Sequence, residues 1–206
     1  MNLIPLFATP IYSAPCLPSK SKLLREIKDE AMLLAGKDRP GKEWSLENYQ
    51  RGYTSYGSLD QLHRFSSTFH ELKERLDPHV ATFVKALGLQ VPGKDIRLTR
   101  MWVNVMGQGC HHPMHLHPLS IISGTFYAQT PKQGSAIRFE DPRSPLFMAR
   151  PLAKAPPRQA SPLIHAHSPK PGEVVLFESW LRHDVPAHPL KEKRISVSFN
   201  YDWISG

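Results

Sequence analysis

The sequence predicts an α+β fold, mainly β. Three observations carry this: helical apolar spacing is confined to residues 1–95, strand-like alternation dominates beyond residue 93, and a histidine cluster falls within the strand-rich part. Helices followed by a run of antiparallel strands give a helical layer packed on sheet. A length of 206 residues suits one domain, with residues 1–95 as an N-terminal strand and helical support and 96–206 as the β core that carries the site.

The elements follow in order. Residues 2–12 (NLIPLFATPIY) are apolar and β-favouring but interrupted by Pro5 and Pro10, which suits an edge strand. Over residues 20–35, Leu23, Leu24, Ile27, Ala31 and Leu34 recur at helical spacing, and the run closes on Gly36. Residues 37–62 show no strong period and read as irregular. In 61–89, Phe65, Phe69, Leu72, Leu76, Val80, Phe83, Val84 and Leu87 predict the longest amphipathic helix, broken or bent by Pro78. Strands are expected at 97–106, 119–130, 136–140, 172–178 and 194–201, with Ile195, Val197 and Phe199 on one side of the last. The proline-rich residues 142–171 read as a long connection or flap.

Composition narrows the function classes. No apolar run reaches bilayer length and the N-terminus lacks a basic leader, so a cytoplasmic protein with no membrane partner is expected. Two cysteines, Cys16 and Cys110, are too few for a disulfide framework. The formal charge of +8 comes from Lys and Arg scattered among acids, which indicates a solvated basic surface rather than a nucleic-acid partner. The apolar N-terminal edge strand offers a surface for pairing as a homodimer.

Five of the eleven histidines stand out: His111, His112, His115, His117 and His183. Residues i and i+2 of a strand share a face, so His115 and His117 in HHPMHLHP can aim two imidazoles at one point. Such a pair is a half-site for Fe, Zn, Ni or Cu. His183, after the apolar run VVLFESWLRH, is the best third ligand. His165 and His167 form a second His-x-His with no evident third partner. His63, His70, His79 and His188 read as background.

The series WVNVMGQGCHHPMHLHPLSIISGTFYA, AIRFEDPR, PKPGEVVLFESWLRHDVPAH and KRISVSFNYDW resembles the 2-oxoglutarate- and Fe(II)-dependent oxygenases of bacterial and phage genomes, with the order HxHPxSxxSG, His, RxSxSFN. The resemblance covers residues 96–203. It implies a double-stranded β-helix (jelly-roll, cupin-like) with N-terminal helices packed on one face, and Fe(II) held near one end. In the wider superfamily the first metal motif is His-x-Asp or His-x-Glu; here His117 takes the carboxylate's place, so either the site is three-histidine or His117 stands aside and water replaces it. Arg194, eleven residues beyond His183 on a strand expected to return beside it, resembles with Ser196 the anchor for the distal carboxylate of 2-oxoglutarate. Asn104 and Tyr127 are further candidates for bonding this cosubstrate. The implied reaction is hydroxylation of an unidentified substrate by O₂ with release of succinate and CO₂.

Three rival readings remain at this stage. Gly109 followed after five residues by His115-x-His117 opens a cupin metal motif, but no Glu stands three or four residues beyond His117. A three-histidine zinc enzyme performing hydrolysis and a non-enzymatic metal- or carboxylate-binding module are the others. Arg194 separates the oxygenase, which needs it to face the metal, from the cupin and zinc readings, which do not. The FEDPR turn and residues 142–171 are expected at the entrance, where loops commonly select the substrate.

Overall fold

The computed structural model describes residues 6–90, 96–151, 154 and 163–203. The chain begins with β1 (Tyr12–Pro15), α1 (Lys22–Lys37), α2 (Arg39–Asn48), β2 (Gly52–Thr54), α3 (Leu62–Phe65) and α4 (Ser67–Ala86). Eight strands follow: β3 (Ile96–Met106), β4 (His112–His115), β5 (Ile122–Gln129), β6 (Ile137–Glu140), β7 (Ile164–His167), β8 (Glu173–Glu178), β9 (His183–Val185) and β10 (Arg194–Trp203). One sheet runs β1-β8-β5-β10-β3-β2 and the other β4-β9-β6-β7. From β3 onward the chain alternates between the sheets, apart from the β6–β7 pair, and winds into a double-stranded β-helix.

Local chemistry sets the helix boundaries. The Ser21 hydroxyl accepts from the Leu24 amide to start α1, and Ser66 accepts from Phe69 to start α4. Ser66 is itself extended, so the continuous 61–89 pattern divides there into α3 and α4. Pro78, expected to break or bend the helix, does not break it: α4 runs through it. Pro78 and Glu74, whose carbonyl loses its helical donor, are both exposed, and water can serve that carbonyl. Residues 37–62 are not irregular, because they hold α2, capped by Asp38 on the Gly41 amide, and β2. The N-terminal edge strand is confined to Tyr12–Pro15 at the edge of the larger sheet; residues 1–5 lie outside the described residues. Within the expected 142–171 flap, Ile164–His167 is strand β7, paired with β6; residues 152–153 and 155–162 also lie outside the description.

The larger sheet is two-faced. Val103, Val197, Phe126 and Val174 form one cross-strand row, and Met101, Phe199 and Leu176 form another closed by Gly124. These side chains join Leu24, Ile27, Phe69, Leu72, Leu76 and Phe83 of α1 and α4 in the main core. The alternate rows turn into the barrel: Asn104, Ser196 and Tyr127 are direct neighbours, as are Trp102, Ser198 and Thr125. A smaller core of Tyr127, Ile137, Phe139, Val175, Phe177 and Leu181 fills the barrel's closed end. No helix among the described residues is long and apolar enough to cross a membrane.

Gly124 lets the sheet and helices close. A Cβ there would lie 2.5 Å from the Phe199 ring and 2.6 Å from the Leu176 side chain. Gly124→Val should therefore destabilise the fold by about 1–3 kcal/mol through overpacking. Denaturant unfolding checks this, and a native-like midpoint would contradict it.

Candidate metal and cosubstrate site

Strands β4 and β9 pair so that His115 lies directly opposite His183, and Phe139 of β6 flanks His183 on its other side. The expected strand placement of the His-x-His pair is only half met: β4 ends at His115, and His117 lies beyond it. A separate set of bonds positions His117. Its amide donates to the Ser179 carbonyl at 2.9 Å and its Nδ1 meets Asn200 Oδ1 at 2.7 Å. His183 is a buried strand residue, 5% exposed, with its ring centre 4.5 Å from that of Phe177.

One potential ligand atom from each of His115, His117 and His183 lies within 4.8 Å of the others, and among the described residues no other His, Cys, Asp or Glu group has such spacing. All three Nδ1 atoms are already engaged: His115 with the Pro113 carbonyl at 2.8 Å, His183 with the Leu181 carbonyl at 2.9 Å, and His117 with Asn200. Facing acceptors, each Nδ1 carries the proton, and each Nε2 lone pair is left for a metal. Asn200 Oδ1 also accepts from Ser123, which bonds Ser179, so a buried hydroxyl–amide chain orients His117. Burial disfavours the cation of each ring, and the His115 imidazole adds to this for His183, pushed down to about 2, and His117, pushed down to about 4; His115 is lowered by burial alone. The donor set fits a divalent transition metal that favours imidazole.

Beside the imidazoles is an inner chamber of about 40 Å³ lined by His112, Asn104, Thr125, Tyr127, Arg194, Ser196 and Ser198 among others. Arg194 is 3% exposed, and none of its contacts is a carboxylate: its Nη1 is 3.4 Å from both Ser196 Oγ and Met106 Sδ, and its guanidinium lies 5.0 Å from the centre of the Tyr127 ring. Arg194 Nε, Tyr127 Oη and Asn104 Oδ1 are buried without partners, while Asn104 Nδ2 donates to Ser198 at 3.0 Å. No acid lines this chamber among the described residues. A buried guanidinium without a counter-charge is costly, and a bidentate carboxylate satisfies it. The residues thus fit a dicarboxylate held by one end.

The expected neighbour relation of Arg194 and His183 needs correction. Strand β10 belongs to the larger sheet, whereas β9 lies between β4 and β6 of the smaller one. Arg194 therefore faces the metal ligands from the opposite wall. His165 and His167 stay outside the site on β7; His167 Nε2 bonds Glu173 at 2.6 Å. Of the background group, His188 bonds the Glu192 carbonyl and His79 bonds Tyr12.

Sequence reasoning missed Tyr49, Trp102, Thr125, Ser198 and Asn200. The last two were available by alternation from Arg194, but Tyr49 comes from the segment without a period. A second, outer cavity of about 490 Å³ shares Tyr49, Trp102, His112, His115 and His117 with the inner one and opens past Trp44, Tyr56, Leu116 and Leu119.

Two facing sheets with a three-imidazole centre and a buried guanidinium define a double-stranded β-helix with metal and carboxylate sites. Solved structures share the fold. A prolyl-4-hydroxylase of Pseudomonas putida aligns over 96% of this chain and 94% of its own at 14% identity and a TM-score of 0.65. HygX from Streptomyces hygroscopicus, with nickel and 2-oxoglutarate bound, aligns over 94% and 83% at 14% identity and a TM-score of 0.59. The viral collagen prolyl hydroxylase of Paramecium Bursaria Chlorella virus-1, as a 2-oxoglutarate complex, aligns over 95% and 96% at 10% identity and a TM-score of 0.56. No curated protein sequence matches. Residues 100–200 match the family described as "Putative 2OG-Fe(II) oxygenase". This segment, which holds every candidate ligand of metal and cosubstrate, belongs to that family, and the chain is a 2-oxoglutarate- and Fe(II)-dependent oxygenase.

The buried imidazoles make the metal-free fold acid-sensitive. His183, His117, His112 (about 3) and His63 (about 4) all titrate below the ordinary value because burial disfavours their cations. The unfolded chain takes up protons first, near pH 6.5, so their contribution is fully present above that value and is lost as pH falls through about 4. The melting temperature of metal-free protein should fall across this window; a flat profile would contradict the assignment.

Proposed function

We propose that the chain hydroxylates a C–H bond of a substrate seated in the outer cavity, with His115, His117 and His183 as the Fe(II) ligands and Arg194, Ser196, Asn104 and Tyr127 as the 2-oxoglutarate-binding residues. The observation that carries this reading is Arg194: a buried cation without a carboxylate partner, facing three imidazoles whose Nε2 atoms are free. When bound, Fe(II) with 2-oxoglutarate and O₂ supplies the oxidising chemistry, releasing succinate and CO₂.

The protein's own part is positioning and exclusion of water. Arg194 offers a fork of donors to the distal carboxylate, and Ser196 adds a hydroxyl on the same face. Tyr127 and Asn104 present unpaired polar atoms from the adjoining strands. Trp102, 5% exposed and stacked on His117 at 5.9 Å between ring centres, shields the metal side of the chamber. The Pro113 and Leu181 carbonyls and Asn200 engage the three Nδ1 atoms and so orient the imidazoles. The cupin and zinc-hydrolase readings give the buried Arg194 no role, and the family match of residues 100–200 favours an oxygenase over a binding module.

Anaerobic addition of Fe(II) and then 2-oxoglutarate should produce the weak visible charge-transfer band of the chelate. No band from a native protein that purifies with stoichiometric zinc would overturn the reading. Arg194→Ala should keep its metal yet bind 2-oxoglutarate at least about thirtyfold more weakly; unchanged cosubstrate affinity would remove the anchor assignment. His117→Ala should lose Fe(II) as His115→Ala and His183→Ala do, and full retention of metal would make His117 a bystander.

A further inference from the structure

Four buried polar atoms of the inner chamber lack partners, and three of them belong to Arg194, Tyr127 and Asn104. The fourth is Nδ1 of His112. His112 opens β4, in register with Val185 of β9, and lines both the inner chamber and the outer cavity. Its ring is fixed on two sides, stacked on His115 at 4.2 Å and 27° and met edge-on by Tyr49 at 5.5 Å and 61°. It is not part of the ligand cluster. Packing alone would be served better by an apolar ring, since a shielded nitrogen without a partner destabilises the fold.

We propose that His112 is a cosubstrate-binding residue whose Nδ1–H donates a hydrogen bond to a carboxylate oxygen of bound 2-oxoglutarate. The inference rests on the oxygenase reading above and adds a donor to it. Stacking on His115 places the ring alongside the candidate metal ligands without competing for the metal, and the shared chamber places its orphan nitrogen with two further unpartnered donors, Arg194 Nε and Tyr127 Oη. Donation to a carboxylate is a charge-assisted bond, stronger than one between neutral groups.

The test compares native protein, His112→Phe and His112→Gln in anaerobic titrations. Phenylalanine keeps the aromatic stack and removes the donor, so Fe(II) affinity and melting temperature should match native while the dissociation constant for 2-oxoglutarate, read from the charge-transfer band, rises about ten- to hundredfold. Glutamine, which restores an N–H, should recover part of the loss. A measurement on unaltered sequence stands beside these: in Zn(II)-loaded native protein, 2-oxoglutarate should slow exchange of the His112 ring N–H proton in NMR spectra. Native-like 2-oxoglutarate binding by His112→Phe, loss of Fe(II) along with it, or no protection of the ring proton would each overturn the proposal. If the native protein itself gives no band, the oxygenase reading fails; a native band with an indifferent phenylalanine variant removes only the role of His112.

Discussion

A strand that lines a polar chamber on one face must bury its other face outside the barrel, and β10 shows how this chain meets that constraint. Ile195, Val197, Phe199 and Tyr201 pack against the helical layer, while Arg194, Ser196, Ser198 and Asn200 alternate with them toward the interior. Burying four apolar side chains of this size stabilises by roughly 1.5–3 kcal/mol each. That gain offsets the cost of polar groups on the inner face. Helices α1 and α4 are therefore a condition of the site, although neither contributes a lining residue to the inner chamber.

The electrostatics of the interior follow from the same arrangement. The cluster that could hold a metal is three imidazoles without a carboxylate, and no acid lines the inner chamber among the described residues. Arg194 adds a further positive charge. The field inside is consequently positive, and an entering dicarboxylate meets no competing anion. Acids near the site are directed elsewhere: Asp184, next to His183, turns to a paired contact with Arg138 of β6, which braces β9 from behind. Strands β4 and β10 lie in opposite sheets.

Much of this was legible in the residues. Alternation located β3, β5, β8 and β10 with their boundaries nearly right, because long strands of a buried sheet keep a strict period. The same alternation brought Asn104, Ser196 and Tyr127 together as direct cross-strand neighbours. Of the short strands, β6 was expected at 136–140 and the His-x-His pair was placed on a strand, but β7 and β9 emerge only from pairing, and with them the register that sets His115 opposite His183. Which sheet holds β9 and which holds β10 is a matter of long-range pairing, so the opposition of Arg194 and His183 was not readable from their eleven-residue separation. Ser66 was hidden for another reason, since apolar spacing continues across it while its side chain caps α4.

The outer cavity divides responsibility between the two parts of the chain. Its inner wall is His115, His117 and Trp102 from the family segment, whereas Trp44, Asn48, Tyr49, Thr54 and Tyr56 come from residues before it. Trp44 and Trp102 meet Tyr56 edge-on, at 5.9 and 5.1 Å between ring centres, so the two walls form one aromatic surface. Gly57 permits that surface, because a Cβ there would sit 2.3 Å from the Trp44 indole. The opposite rim carries Leu119, fully exposed and held at a positive φ of 68° that a leucine rarely adopts. His115, His183, Arg194, Ser196, Asn104 and Tyr127 sit on strands fixed by cross-strand pairing and His117 lies just beyond β4, while the aromatic wall hangs on α2 and the short β2, attached to the sheet edge through β3. Residues of α2 and β2 thus shape the outer cavity from outside the family segment, which carries the three-imidazole cluster and Arg194, and Tyr49 at the end of α2 joins the two parts by packing on His112.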